Sequence, residues 1–110
     1  MFIYLASTPA WQIPGTLQIG CTRDVNGRRA LFRELCPPDA GDAYLIYFLA
    51  IWETTAETEE ELRAQLEEVH QRFRAARLEG SNWFRVGQWR GLVDRFIDGR
   101  EWVRRVVERQ

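Results

Sequence analysis

Phe2-Ile3-Tyr4-Leu5-Ala6, then Thr16-Leu17-Gln18-Ile19-Gly20-Cys21, then Asp24-Val25-Asn26-Gly27-Arg28 lay out two strands and a helix start in the first quarter of the chain. The first two are apolar and rich in β-forming residues, and Thr8-Pro9-Ala10 and Ile13-Pro14-Gly15 punctuate the link between them. Two such runs separated by turn chemistry predict a hairpin with a wide loop. Asp24 is placed to cap a helix over Val25 to Leu35, with apolar Val25, Leu31, Phe32 and Leu35 and basic Arg28, Arg29 and Arg33. Gly27 weakens that helix by up to about 1 kcal/mol relative to Ala. Cys36-Pro37-Pro38 ends it, because a residue before proline is pushed out of the helical region.

Further along the chain, Ala43 to Glu53 is nearly all apolar and bounded by polar residues, which predicts a strand buried on both faces at the centre of the sheet. Thr58 and Glu61 have capping-box spacing, and Thr55 with Glu57 allows an earlier start. The helix they open is predicted to run to about Leu78, with Leu62, Leu66, Val69, Phe73 and Ala76 as its core-facing stripe. Gly80 can take the left-handed conformation that closes a helix. Gly80-Ser81-Asn82 then turns the chain into Trp83-Phe84-Arg85-Val86, where Trp83 and Phe84 read as core closure. A last helical pattern spans Trp89 to about Glu108 with Leu92, Val93, Phe96, Ile97, Val103 and Val107 on one side, and Gly99 is a candidate break in it. These elements predict an α/β fold: a small three-stranded antiparallel sheet flanked by helices in the order β-β-α-β-α-α. The 110 residues read as one domain, with 87–110 a C-terminal helical extension.

Composition bounds what such a domain can do. At 13.0 kDa the chain is long enough for one core and too short for two. Its 45% apolar content, with five Trp, six Phe and three Tyr, argues for a packed globule and against disorder. All fifteen basic residues are Arg, yet the formal net charge is -1, so any attraction for nucleic acid must come from local patches. Residues 53–68 hold seven Glu against one Arg, whereas 69–77 hold three Arg and no acid. The start of the long helix therefore repels a phosphate backbone and its end attracts one. No apolar run approaches the roughly 20 residues of a membrane span, which predicts no membrane association. The N-terminus lacks the charged start of a secretion signal, and Cys21 and Cys36 suit a reducing compartment, so a cytoplasmic location is expected. Neither cysteine has the paired spacing of a zinc site.

Phe2-Ile3-Tyr4, a thirteen-residue interval, Gln18-Ile19-Gly20, and Arg28 eight residues further on resemble the opening of the GIY-YIG nuclease superfamily. The compact phage and bacterial branch, familiar from phages and mobile elements, continues with a helix bearing His, Phe and Arg and then a Gly and an aromatic turn. His70, Phe73, Arg77, Gly80 and Asn82-Trp83-Phe84 follow that series, so the resemblance covers roughly residues 2 to 86. It implies phosphodiester hydrolysis with one divalent metal, Mg²⁺ or Mn²⁺, on nucleic acid, with DNA the favoured polymer. In that scheme Tyr4 orients or deprotonates the attacking water, and Arg28 stabilises charge on the phosphate. Glu67 would hold the metal.

The chain departs from the pattern at Phe2, at Gln18 and at Leu66, the last standing where relatives carry the metal-binding glutamate. Glu67 is one helical step, about 100 degrees, out of phase, on a stripe with Arg63, His70, Arg74 and Arg77. Gln18, Gly20 and His70 are expected to support the site, and Arg23, Arg29, Arg33, Arg74 and Arg77 to join Arg28 in a basic face. Two further functions suit the same residues: an inactive module that binds nucleic acid, or a protein-interaction module using the acidic helix start or the aromatic last third.

Overall fold

Phe2–Ser7 (β1) is almost wholly buried and pairs on both sides, which makes it the centre of the sheet. The computed structural model describes residues 1–36 and 41–106. Its order is β1, a short helix Pro9–Gln12 (α1), Thr16–Thr22 (β2), Val25–Leu35 (α2), Tyr47–Thr54 (β3), Glu59–Arg72 (α3), Trp83–Arg85 (β4), Trp89–Asp98 (α4) and Val103–Val106 (β5). The fold is α/β, with one antiparallel sheet ordered β4-β2-β1-β3-β5.

Side-chain alternation sends the central strand's residues to two cores. Ile3 and Leu5, with Leu17, Ile19, Ala50 and Trp52, face α3 and α4. Tyr4 and Ala6, with Phe48 and Ile51, face α2 through Phe32. The β1–β3 register shifts between Leu5, opposite Ala50, and Ala6, opposite Phe48, so Leu49 is the extra residue of a bulge. That bulge puts Phe48 on the same face as Tyr4, and their rings meet edge-on at 5.1 Å.

Local chemistry sets the helix starts. Asp24 accepts from Gly27 N at 3.0 Å and opens α2, and Thr58 Oγ1 accepts from Glu61 N at 3.1 Å and opens α3. The Glu61 carboxylate reaches back to Glu57 N at 3.4 Å. On α3 the stripe is as spaced: Leu62, Val69 and Phe73 are buried, while Leu66 is partly so.

Several expectations need correction. Among the described residues the sheet has five strands, because β4 and β5 add to the predicted three, and the order is not β-β-α-β-α-α. The apolar run before residue 54 supplies β3 only from Tyr47 onward, and β3 lies beside the centre rather than at it. The long helix stops at Arg72. Arg74–Ala76 forms a 3₁₀ turn, and Arg77 bridges to Phe84. Gly80 does take the left-handed conformation, at φ 68°.

The C-terminal extension is not all helix. It ends as helix at Asp98, and after Gly99 the chain returns to pair Val103–Val106 with β3. Val103-Arg104-Arg105-Val106 fits a helical face by its outer valines, but the segment pairs with the open edge of β3, which satisfies backbone groups of both strands. Val107 and Glu108 of the expected helix, like Pro37 and Pro38 after α2, lie outside the described residues. Phe84 is fully buried, whereas Trp83, alternating to the opposite face, is only partly so. No helix among the described residues is long and apolar enough to cross a membrane.

Candidate functional site

Tyr4 and Gly20 stand directly opposite one another on β1 and β2. A Cβ on Gly20 would lie 2.5 Å from Tyr4 Oη and 2.6 Å from Cζ, so the glycine is what lets the ring lie across β2. The hydroxyl donates to Gln18 Oε1 at 2.9 Å, and Gln18 Nε2 donates to Asn82 Oδ1 at 3.4 Å, a chain that runs from the central strand to the start of β4. Tyr4 is 1% exposed and sits under α2 between Phe32 and Phe48. Burial pushes its phenol above the ordinary value of 10.0, with the Arg28 guanidinium pulling the other way. The phenol therefore keeps its proton at neutral pH.

Arg28 projects from the first turns of α2 toward the outer margin of β2. There it lines a cleft of about 310 Å³ with Cys21, Thr22, Arg23, Glu59, Leu62 and Arg63. The cleft straddles the sheet edge, α2 on one side and α3 on the other. Arg23 holds the only acid in the lining, Glu59, at 3.3 Å. Neither Arg28 nor Arg63 forms a salt bridge among the described residues. Both act on the Cys21 thiol, which burial pushes up and the two guanidinium groups pull down. Three arginines against one engaged glutamate make the cleft locally positive in a chain of net charge -1. A planar guanidinium fork suits the oxygens of a phosphate.

Arg63 is the residue that sequence reasoning missed. It shares a helical stripe with Glu67 and His70, but it lies in the acid-rich stretch 53–68, whose average charge hid it. The signal was the stripe itself. His70 shows where it faces: Nε2 donates to Ile19 O at 2.8 Å, on the margin of β2 that β4 leaves open. His70 is buried against Phe84, and burial drives its pKa below 6.5 despite that hydrogen bond and nearby Glu67, with Arg77 adding to the drop.

The other expected residues scatter. Arg29 stacks over Phe48 at 5.3 Å, toward β3 and away from the cleft. Arg33 and Arg74 are exposed and do not line the cleft, and Arg77 donates to Ser81 O at 2.5 Å in the turn before β4. The structure thus joins Tyr4, Gln18 and Gly20 in one contact and Arg23 and Arg28 in the cleft, with Arg28 acting on the Tyr4 phenol, and leaves Arg29, Arg33, Arg74 and Arg77 outside. Glu67 is exposed, accepts from Gln71 Nε2 at 2.7 Å and does not line the cleft. Among the described residues no group of three or more His, Cys, Asp or Glu converges. One carboxylate outside the cleft does not make a preformed site for a hard divalent cation, which takes several oxygen ligands. Compared with protein-family models, curated proteins and solved structures, the chain gives no match.

Proposed function

We propose that this chain is a nucleic-acid-binding module that holds the phosphate backbone in the cleft between α2 and α3, on a scaffold resembling the GIY-YIG nucleases. The observation that carries this reading is the convergence of Arg23, Arg28 and Arg63 on one cleft whose single acid is already paired. Support also comes from the opposition of Tyr4 to Gly20 beside Arg28, the juxtaposition that the resemblance implies. Tyr4, protonated and buried, packs beneath α2 and supports the helix that carries Arg28. Binding is the reading that the arginines themselves carry, and hydrolysis is the outcome that a nicking assay would reveal.

The test is titration of labelled duplex and single-stranded DNA at several salt concentrations. Arg28→Ala and Arg63→Ala should each weaken binding and lower the salt slope by about 1, the loss of one phosphate contact. Their thermal midpoints should stay close to the parent, because Arg63 is exposed and Arg28 half-exposed. Unchanged affinity in the folded double variant overturns the proposal. Nicking of the same DNA that depends on Mg²⁺ or Mn²⁺ and disappears in Glu67→Gln would replace binding by hydrolysis as the conclusion.

A further inference from the structure

The face of the sheet that carries Tyr4 is only partly covered. Thr16, Gln18, Gly20 and Thr22 alternate onto it along β2, and Trp83 and Arg85 join them from β4, paired with Gln18 and Thr16. At the Thr16 end lies a second, mostly apolar groove of about 370 Å³, walled by Trp11, Pro14, Leu78 and Trp83. Trp11 stands on the short helix α1, where Thr8 Oγ1 accepts from its backbone N–H at 3.1 Å. Its ring meets Trp83 at 5.2 Å and 88° and Tyr44 at 6.2 Å and 70°. All these contacts are edge-to-face, so no two of the rings stack in parallel. Trp11 is 39% exposed and Tyr44 51%, an unusual concentration of open aromatic surface.

Charge narrows the occupant. The only ionisable side chain in the lining is Arg85, which keeps a long 3.4 Å contact with Thr16 Oγ1, and there is no carboxylate among the lining residues. A flat apolar partner that also carries negative charge is an unpaired nucleobase on its phosphate chain. The groove and the arginine cleft touch opposite ends of β2, at Thr16 and Thr22. At strand spacing these ends are roughly 20 Å apart, within reach of a short oligonucleotide.

We infer that the Trp11–Trp83 groove receives an unpaired base, so that the strand held by this chain is single-stranded nucleic acid. The inference rests on the phosphate-binding reading of the Arg28 cleft and specifies its ligand. Duplex DNA keeps its bases stacked inside and offers the groove nothing flat to take.

The experiment compares an oligothymidylate of about 12 nucleotides with a duplex of equal length and with an abasic oligomer, using wild type, Trp11→Ala, Trp11→Phe and Arg28→Ala. The expected result is preference for the oligothymidylate and a roughly ten-fold loss in Trp11→Ala. Affinity should be near normal in Trp11→Phe. The abasic oligomer should bind equally weakly to wild type and Trp11→Ala, and weaker binding of the abasic oligomer than of oligothymidylate to wild type decides the matter even if Trp11→Ala fails to fold. If Arg28→Ala weakens binding while the abasic oligomer binds wild type as well as oligothymidylate does, the phosphate reading stands and the stacking inference falls. If no oligonucleotide binds, both fall. A proline-rich peptide that moves the Trp11 indole N–H resonance, where oligonucleotides do not, assigns the groove to a protein partner and overturns the inference.

Discussion

Gly20 and His70 do opposite things to the same strand, one by having no side chain and the other by lending one. Gly20→Ala would push a methyl group within 2.5 Å of Tyr4 Oη, between two packed aromatic rings that cannot yield. A loss of about 1–3 kcal/mol in denaturant unfolding is expected. Tyr4→Phe should not rescue it, because Cζ at 2.6 Å remains after the hydroxyl has gone. Recovery in that double variant would falsify the steric account. His70 makes stability depend on pH. Its folded pKa is depressed below 6.5, so the unfolded chain binds the proton more readily. The stability it contributes is complete above pH 6.5 and is lost as pH falls from there through the folded value. Urea midpoints measured from about pH 7.5 down to about 5.5 should decline in wild type. They should be nearly flat in His70→Gln, which keeps an N–H donor and has no such proton to gain.

At the scale of elements, the parts governed by neighbours in sequence were legible and the parts governed by distant partners were not. Asp24 with Gly27, and Thr58 with Glu61, fix α2 and α3 through bonds that span three residues, so spacing located the first start and made Thr58 one of two candidates for the second. Arg28 was legible for the same reason, sitting one turn inside a helix whose origin was known. β5 was not, because valines at 103 and 106 suit either period and only the open edge of β3 decides between them. Arg63 needed knowledge of what the stripe beside the buried Leu62 and Val69 overlooks, and His70 reaching across to Ile19 reveals it. The end of α4 is similarly a long-range matter: Asp98 accepts from Trp52 Nε1 at 2.7 Å, and Arg105 lies 3.4 Å from the same carboxylate. Trp52 is fully buried, so Asp98→Ala leaves an indole N–H without its partner. The expected cost is about 1–3 kcal/mol in chemical unfolding, while Asp98→Asn, which keeps the acceptor oxygen, should cost less.

For the whole molecule, the last segment completes the sheet instead of trailing from it. β5 covers the outer edge of β3, Thr55 N donates to Trp102 O at 2.9 Å, and Arg104 pairs with Glu53 at 2.7 Å. A chain ending at Gly99 should therefore expose a nearly flat row of β3 backbone groups beside Trp52 and self-associate. Light scattering after size exclusion checks this, and a monomeric, stably folded 1–99 fragment would contradict it. The opposite margin of the sheet is guarded by different means. There β4 is short, and beyond it Ile19 gives its N–H to Asn82 and its carbonyl to His70. A side chain from α3 thus stands where the next strand's backbone would be. An intruding chain seeking to zip along β2 meets an imidazole already standing in the donor position, and acidification, by charging a ring that burial holds neutral, would turn a sealed border into one open to annexation.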